Sequence, residues 1–493
     1  MTLVSQLALV PVYLSYWPSE TYGVWLALQA FYAVSIILGM AHLTFLENEF
    51  IRIGNADPHT LRLTLWSSIP IALFIAAAQL AIVLVLVQTG AFASLLIPAG
   101  ELGKSLEADA AWIAIAQAAC WLVIVAVSSL AVRALCAIGY YARYAWLGLP
   151  YVIFNAVVPV VVLANGGSLL AVGLSQVATT FVFYLLWLLD TIWIARRHDL
   201  GYLVPDLNLG LSILRRAAFV LLRLFLEMAR QTGFRLLMVP LVGPTKLAEF
   251  STQRTIGNTA YQCMNGVYSP LLPELMRYVR EKRQHRMEGA LSVLWLLLVL
   301  VLCPMTIALQ ATMPHVYPWW TRNAFGFDAL LLYWLSASVL VSMMSLPAVA
   351  ICSGSNLVAL QLRIAATAAA VLFVGLWPLT QLFGIRGAAV ALLICEASAS
   401  ALYVRDCAAW LRRTGLQWPT RAFRICLVAV AHTLCAALLI ALWPSLQYAW
   451  LLIFLVGWCA IAYRLWAATP LEAKSYLSAR VKEIRFAIHQ TPV

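Results

Sequence analysis

Residues 213–273 read ILRRAAFVLLRLFLEMARQTGFRLLMVPLVGPTKLAEFSTQRTIGNTAYQCMNGVYSPLLP. The stretch is long and apolar enough for two membrane-crossing helices joined at Gly243-Pro244. It nevertheless carries Arg223, Glu227, Arg230, Arg235 and Arg254. An arginine at mid-bilayer costs about 2.5–3.5 kcal/mol even on the lower insertion scale, so such residues face a bundle interior or a watery cavity. At about 3.6 residues per turn, Arg223, Glu227, Arg230 and Gln231 share one face of the first helix. On the second helix Arg254, Asn258, Tyr261, Gln262 and Asn265 form a stripe, with Ser251 beside it. Two polar seams on consecutive helices predict a shared, hydrated, net-positive cavity. The competing reading is structural: Glu227 neutralises an arginine while the others snorkel to an interface. Arg230 weighs against it, because it sits near the middle of its helix.

Working outward, composition sets the class. The chain of 493 residues is 63% hydrophobic and 11% charged, with mean hydropathy +0.88, which makes it a polytopic membrane protein. No stretch reads as a cleavable signal peptide, since the first apolar run leads straight into further spans. A net charge of +12 then marks a cytoplasmic face rather than nucleic acid. Ten cysteines are scattered singly, without CxxC or Cys/His spacing, so neither a metal site nor a disulfide framework is indicated. No cofactor is indicated either.

Fourteen apolar runs of membrane-spanning length follow one another. They lie near 1–16, 21–46, 64–88, 111–132, 144–164, 168–194, 214–242, 247–272, 289–312, 329–352, 360–380, 385–404, 425–443 and 447–466. The first is short: either it is tilted into a thin region or the true start lies upstream of Met1. With the N-terminus in the cytoplasm, 24 of the 32 Lys and Arg fall in loops and tail on that side, and four on the other. That bias predicts both termini in the cytoplasm. Trp17, Trp319 and Trp320 read as aromatic-belt anchors at the outer boundary. The basic loop 274–288 reads as a topology determinant, and an anionic-lipid site there is the alternative. In the tail, Leu477, Val481, Ile484 and Ile488 share a helical face, as in a helix lying on the membrane surface.

The halves echo one another. LVPVYLSYWPSETYGVW (9–25) is answered by LMVPLVGPTKLAEF (237–250), and NGGSLLAVGLSQVATT (165–180) by FGIRGAAVALLICEAS (383–398). Similar offsets imply a duplicated six-helix unit, hence two parallel repeats about an axis along the membrane normal. The expected fold is all-α, with an N-terminal six-helix lobe (1–194), a cytoplasmic linker (195–213) and a second six-helix lobe (214–404). Two extra transmembrane helices (405–466) and a cytoplasmic amphipathic tail (467–493) complete it.

The run P-x-Y-x-S-Y-W-P-x-x-x-Y-G-V-W (11–25), Gly39 and LENEFIRIGNAD (46–57) resembles the opening of bacterial polysaccharide-biosynthesis membrane proteins. These are O-antigen and lipid-linked oligosaccharide flippases of the multidrug/oligosaccharidyl-lipid/polysaccharide exporter superfamily. VGPTKLAEFSTQR (242–254), PLLPELMR (270–277) and FGIRGAAVA (383–391) look like the family's later landmarks. The resemblance implies a cavity flanked by helices 1, 2, 7 and 8, onto which the charged seams map. Helix 1 departs from the pattern, having no basic residue. Expected substrate contacts are therefore Arg223, Arg230, Arg235, Arg254, Asn258, Gln262 and Asn265, with Glu227 and Glu396 as candidates for ion coupling. The implied activity is translocation of a polyprenyl-diphosphate-linked sugar across the bacterial inner membrane, feeding O-antigen (lipopolysaccharide), capsule or exopolysaccharide. Implied partners are that lipid-linked sugar, membrane lipids and other polysaccharide-assembly membrane proteins.

Two alternatives stand beside it. A multidrug cation antiporter of the same superfamily needs acids rather than arginines in its cavity. A membrane-embedded glycan polymerase or ligase needs a large outer loop with converging catalytic groups, and none is seen. Glu47 and Glu49 read as a solvated pair near Arg52, and His42 and His432 as core residues rather than proton carriers.

Overall fold

The computed structural model describes residues 2–53, 57–96, 101–198, 201–268, 272–355 and 357–469. The described residues are 91% helical, with no strand among them. The first helices are α1 (Thr2–Tyr16), α2 (Ser19–Ser35), α3 (Ile37–Ile53), α4 (Pro58–Gln88) and the short α5 (Ala91–Leu96). Then come α6 (Glu101–Cys120), α7 (Ala126–Leu135), α8 (Tyr141–Ala164), α9 (Leu169–Arg197), α10 (Leu207–Met228) and α11 (Phe234–Tyr268). The rest are α12 (Leu272–Arg280), α13 (Gln284–Leu297), α14 (Cys303–Trp320), α15 (Ala329–Gly354), α16 (Val358–Thr414), α17 (Thr420–Leu442) and α18 (Gln447–Ala468). The expected all-α polytopic fold is what the chain adopts.

Among the described residues each of the fourteen apolar runs lies on helix. Eight helical stretches are individually long and apolar enough to cross a membrane. Two of them, Leu106–Ala164 and Val358–Thr414, have 59 and 57 residues. At about 1.5 Å per residue either would outrun a ~30 Å bilayer core more than twofold if straight. They break instead at Gly139 (φ 110°, ψ −1°) and Gly384 (φ 59°, ψ −140°), each dividing its stretch into two runs of spanning length. Helix starts are marked chemically. Asp57 accepts from Thr60 N–H at 3.0 Å, Ser168 from Ala171 N–H, Asp206 from Asn208 and Leu209 N–H, and Asp328 from Leu330 and Leu331 N–H. Each oxygen satisfies amides that helix geometry leaves without a partner.

The sequence echo has a backbone counterpart. The offset that lays 165–180 on 383–398 lays Gly166 on Gly384, and both are left-handed, at φ 81° and 59°. The two hairpin tops thus need glycine at the same point.

Contacts divide the chain into two compact units, 1–251 with 320–325, and 252–319 with 326–493. The first has a core around Leu46, Phe50, Trp121, Leu130 and Leu135, and the second around Met287, Trp295, Leu302, Met343 and Cys407. In the first unit the connection after α9 is strapped to α4. Arg62 donates to the carbonyls of Gly201 and Tyr202, both at 2.6 Å, and Ser67 Oγ accepts from Asp206 N–H. Trp17 differs from expectation. It is buried among Tyr13, Tyr22 and Trp25 with ring centroids 5.4–6.0 Å apart, because the α1–α2 hairpin closes over it. Trp319 is 80% exposed. The amphipathic tail expected after residue 469 lies outside the described residues.

Candidate functional site

The first charged seam lies on α10 and the start of α11. Between them residues Ala229–Gly233 form a π-helical turn, which contains Arg230 and Gln231. Such a turn bonds i to i+5 and so carries one extra residue; single π turns inside helices concentrate at functional sites. Its effect on the series is geometric. In a regular α-helix Arg235 would stand about 140° round from Arg230, at roughly 100° per residue. The extra residue turns Arg235 back toward the face of Arg223, Glu227 and Arg230.

The seam is only partly self-neutralised. Arg223 Nε lies 3.9 Å from Glu227 Oε2, a loose i,i+4 ion pair with both side chains partly exposed, at 29% and 44%. Arg230 is half-buried and Gln231 exposed, and neither is without a partner. Arg235 is half-buried, and its Nε is enclosed with no hydrogen-bond partner among the described residues. Helix α2 packs against the π turn, with Val34 facing Gly233. The seam then ends at Gly243 (φ 81°, ψ 165°), where α11 breaks. Here α2 closes on the turn so tightly that a Cβ on Gly23 would meet the Pro244 carbonyl oxygen.

The second seam belongs to the second unit and is more enclosed. Arg254 is buried and partnered, whereas Asn258 and Gln262 are half-buried. Asn265 lies on α11 but outside the described side chains. The residues just before Asn258 anchor the helix: Thr252 Oγ1 hydrogen-bonds Tyr317 Oη at 2.8 Å, and the Gln253 amide pairs with both N–H and C=O of Asp328. Asp328 also accepts from Arg386 Nε at 2.7 Å, which gives the FGIRGAAVA landmark a structural use. Glu396 is half-buried on α16 and is not without a partner.

The remaining acids and histidines have defined places. Glu49 chelates Arg52 through both oxygens, and Glu47 pairs with Arg133 Nε at 3.2 Å. The Arg52 guanidinium holds the Glu49 carboxyl below the usual carboxylate range. His432 stacks on Phe454 and bonds its carbonyl at 3.2 Å. His42 is buried, and its Nε2 lacks a partner among the described residues.

One polar cluster carries no charge and escaped sequence reading. A cavity of about 40 Å³ in the first unit is lined by Tyr32, Gln117, Tyr151, Asn155, Gln176 and Thr180. Gln29 donates to Gln176 at 3.0 Å, whereas Gln117 Oε1 and Asn155 Oδ1 are buried acceptors with no partner among the described residues. The volume suits one small donor of the size of water. The only available signal was an isolated amide in each of several apolar runs.

Solved structures share this fold. The lipid II flippase MurJ, in an inward closed conformation, matches with TM-score 0.59 at 12% identity, over 94% of this chain and 97% of that one. An inward-facing multidrug resistance MATE family transporter of the MOP superfamily matches with TM-score 0.63 at 13% identity, over 84% and 94%. A MOP superfamily transporter from Pyrococcus furiosus, described as having a binding pocket of reverse polarity, matches with TM-score 0.56 at 13% identity, over 84% and 93%. The chain therefore shares its fold with these transporters. No family model matches the chain, and no curated protein matches its sequence.

Proposed function

We propose that this protein is a translocase that carries a polyprenyl-diphosphate-linked oligosaccharide across the bacterial inner membrane, by alternating access through a cationic cavity, for surface polysaccharide assembly. The observation that carries the reading is the arginine series Arg223, Arg230 and Arg235, brought toward one face by the π turn, with Arg223 held by Glu227 only loosely, at 3.9 Å. A diphosphate is the ligand that arginines match best, by bidentate charge-assisted hydrogen bonds in a site of low dielectric. The polyprenyl tail stays in lipid while the head group crosses. Among the fold neighbours, the flippase likeness covers the larger share of this chain. The protein acts on its substrate without bond chemistry, and both termini face the cytoplasm. Arg254, Asn258, Gln262 and Asn265 are the further substrate contacts of this reading, and Glu396 is the coupling candidate. Glu396→Gln then removes the pH dependence of translocation; unchanged pH dependence removes that role.

The multidrug transporter reading rests on the MATE neighbour's fold. A cavity for organic cations wants unpaired acids, and the α10–α11 seam offers an excess of arginine. The test is membrane abundance and surface-glycan output of Arg230→Ala, Arg230→Lys and Arg230→Ala/Glu227→Gln. Expected are normal abundance with lost output for the alanine, partial output for the lysine, and no rescue in the double variant. Full glycan output from the double variant would mean that Arg230 only balances a buried acid, and the proposal would fall.

A further inference from the structure

We propose that the basic end of the α17–α18 hairpin binds the phosphate headgroup of an anionic phospholipid, independently of any translocated substrate. A cavity of about 520 Å³ opens there, lined by Thr420, Arg421, Arg424, Ile425, Tyr463 and Arg464, with Ala467 at its edge. Three guanidinium groups converge on it, and among the described residues no carboxylate lines it. None of the three has an ion-pair partner among the described residues, and all three are exposed. Arg421 and Arg424 lie in the first turns of α17, whose N-cap is Pro419, a residue with no side-chain acceptor to offer. The amide end of that helix therefore adds partial positive charge to the cluster. Basic pockets between transmembrane helices at the membrane surface are the usual seats of anionic lipid headgroups.

A second observation distinguishes a lipid from a free anion. Beyond the arginines both helices expose apolar side chains. On α17 the residues one turn beyond Arg424 are Leu427 and Val428, 48% and 56% exposed. On α18 the positions four, eight and twelve residues before Arg464 are Ala460, Val456 and Leu452, winding about 40° round the helix at each step and all exposed, Val456 at 65% and Leu452 at 63%. Tyr463 and Trp466 flank the arginine level, where amphipathic rings mark the headgroup boundary. A phosphate held by the guanidinium cluster thus projects its acyl chains along an apolar track already exposed to lipid. Inorganic phosphate would leave that track unused.

The test uses the full chain in neutral detergent, with native mass spectrometry of the protein released from micelles doped with dioleoyl phosphatidylglycerol or dioleoyl phosphatidylcholine. Wild type is expected to retain the anionic lipid preferentially. Arg421→Gln/Arg424→Gln/Arg464→Gln is expected to weaken that retention about tenfold or more, each charge-assisted bond being among the stronger kind. Arg424→Gln alone is expected to weaken it about threefold, which keeps the proposal testable should the triple variant misfold. Val456→Trp, which fills the track above the arginines, should weaken the dioleoyl lipid but leave a dihexanoyl phosphatidylglycerol bound. Millimolar inorganic phosphate should not displace the lipid. Equal retention of the two headgroups, or unchanged retention in a triple variant that elutes like wild type, overturns the proposal. Displacement by phosphate at the lipid's own concentration overturns it too, in favour of a free-anion site. None of these readouts depends on glycan translocation.

Discussion

A Cβ placed on Gly23 would stand 2.2 Å from the carbonyl oxygen of Pro244 and 2.5 Å from its carbonyl carbon. The neighbour is backbone, at a turn whose Gly243 occupies φ 81°, ψ 165°, so no side-chain rotation relieves the clash. Forcing extra atoms into a packed contact costs about 1–3 kcal/mol. Gly23→Ala should therefore lower the thermal midpoint of the detergent-solubilised protein by several degrees, and Gly23→Val should abolish accumulation in the membrane. Gly23→Ala with a wild-type melting curve would show that α2 does not need this approach. Gly243→Ala offers a control of a different kind, since it adds strain at the turn itself with nothing within 4 Å of the new carbon.

Asp328 is expected to matter through three contacts at once. Its carboxylate caps α15 and accepts from Arg386, while its backbone holds the Gln253 amide. Loss of an aspartate cap costs about 0.5–2 kcal/mol. Asp328→Ala should destabilise by about that amount, whereas Asp328→Asn should lose less, because it keeps an acceptor for Leu330 and Leu331. Arg386→Gln should resemble the asparagine variant. Thermal denaturation of the three variants in one detergent separates cap from ion pair.

The cap at the start of α4 carries a pH signature. Hydrogen bonds from the Thr60 hydroxyl and amide hold the Asp57 carboxyl below the usual carboxylate range. A depressed folded-state value means that the stabilisation is present above the unfolded carboxylate pKa of about 3.9 and disappears as pH falls through the folded value. Asp57→Ala should thus melt below wild type at neutral pH, and the gap should close below about pH 4. A gap independent of pH would assign the effect to something other than the ionised cap.

Orientation is testable with single cysteines in a chain whose native cysteines are replaced. Asn165, Ser445, Glu281 and Arg413 are all exposed, and the count of basic residues assigns the first two to the outer side and the last two to the cytoplasm. A membrane-impermeant maleimide added to whole cells should label the first two and spare the second two. Labelling at Glu281 would invert the topology.

Hydropathy located the helices because a chain in lipid has to close its backbone hydrogen bonds within each segment, so apolar length and helix coincide. It was silent where helix leaves the bilayer. Helix α6 begins at Glu101, ten residues before the apolar run near 111, through a polar stretch that water tolerates. The α2–α3 bend at Ile36 and the Arg62 strap were equally invisible, one being a local turn and the other a contact across 139 residues. The Arg223–Glu227 pair was legible from four-residue spacing, as was the seam it belongs to. The Tyr32, Gln117, Asn155 and Gln176 cluster was not, since its members stand on different helices and carry no charge to single them out.

The π turn at Ala229–Gly233 has a further consequence, for how this part of the chain tolerates change. Deleting one residue there, Thr232 for example, would restore an unbroken α-helix. Arg235 would then follow Arg230 by four residues, about 40° round at roughly 100° per residue, and so keep to the same face. A residue added there, with no second bulge to absorb it, would instead carry Arg235 about 140° round from Arg230. Substitution scanning cannot detect this asymmetry, because it keeps the length of the chain constant. This part of the chain can lose a residue and keep its arginines in line, whereas gaining one would scatter them.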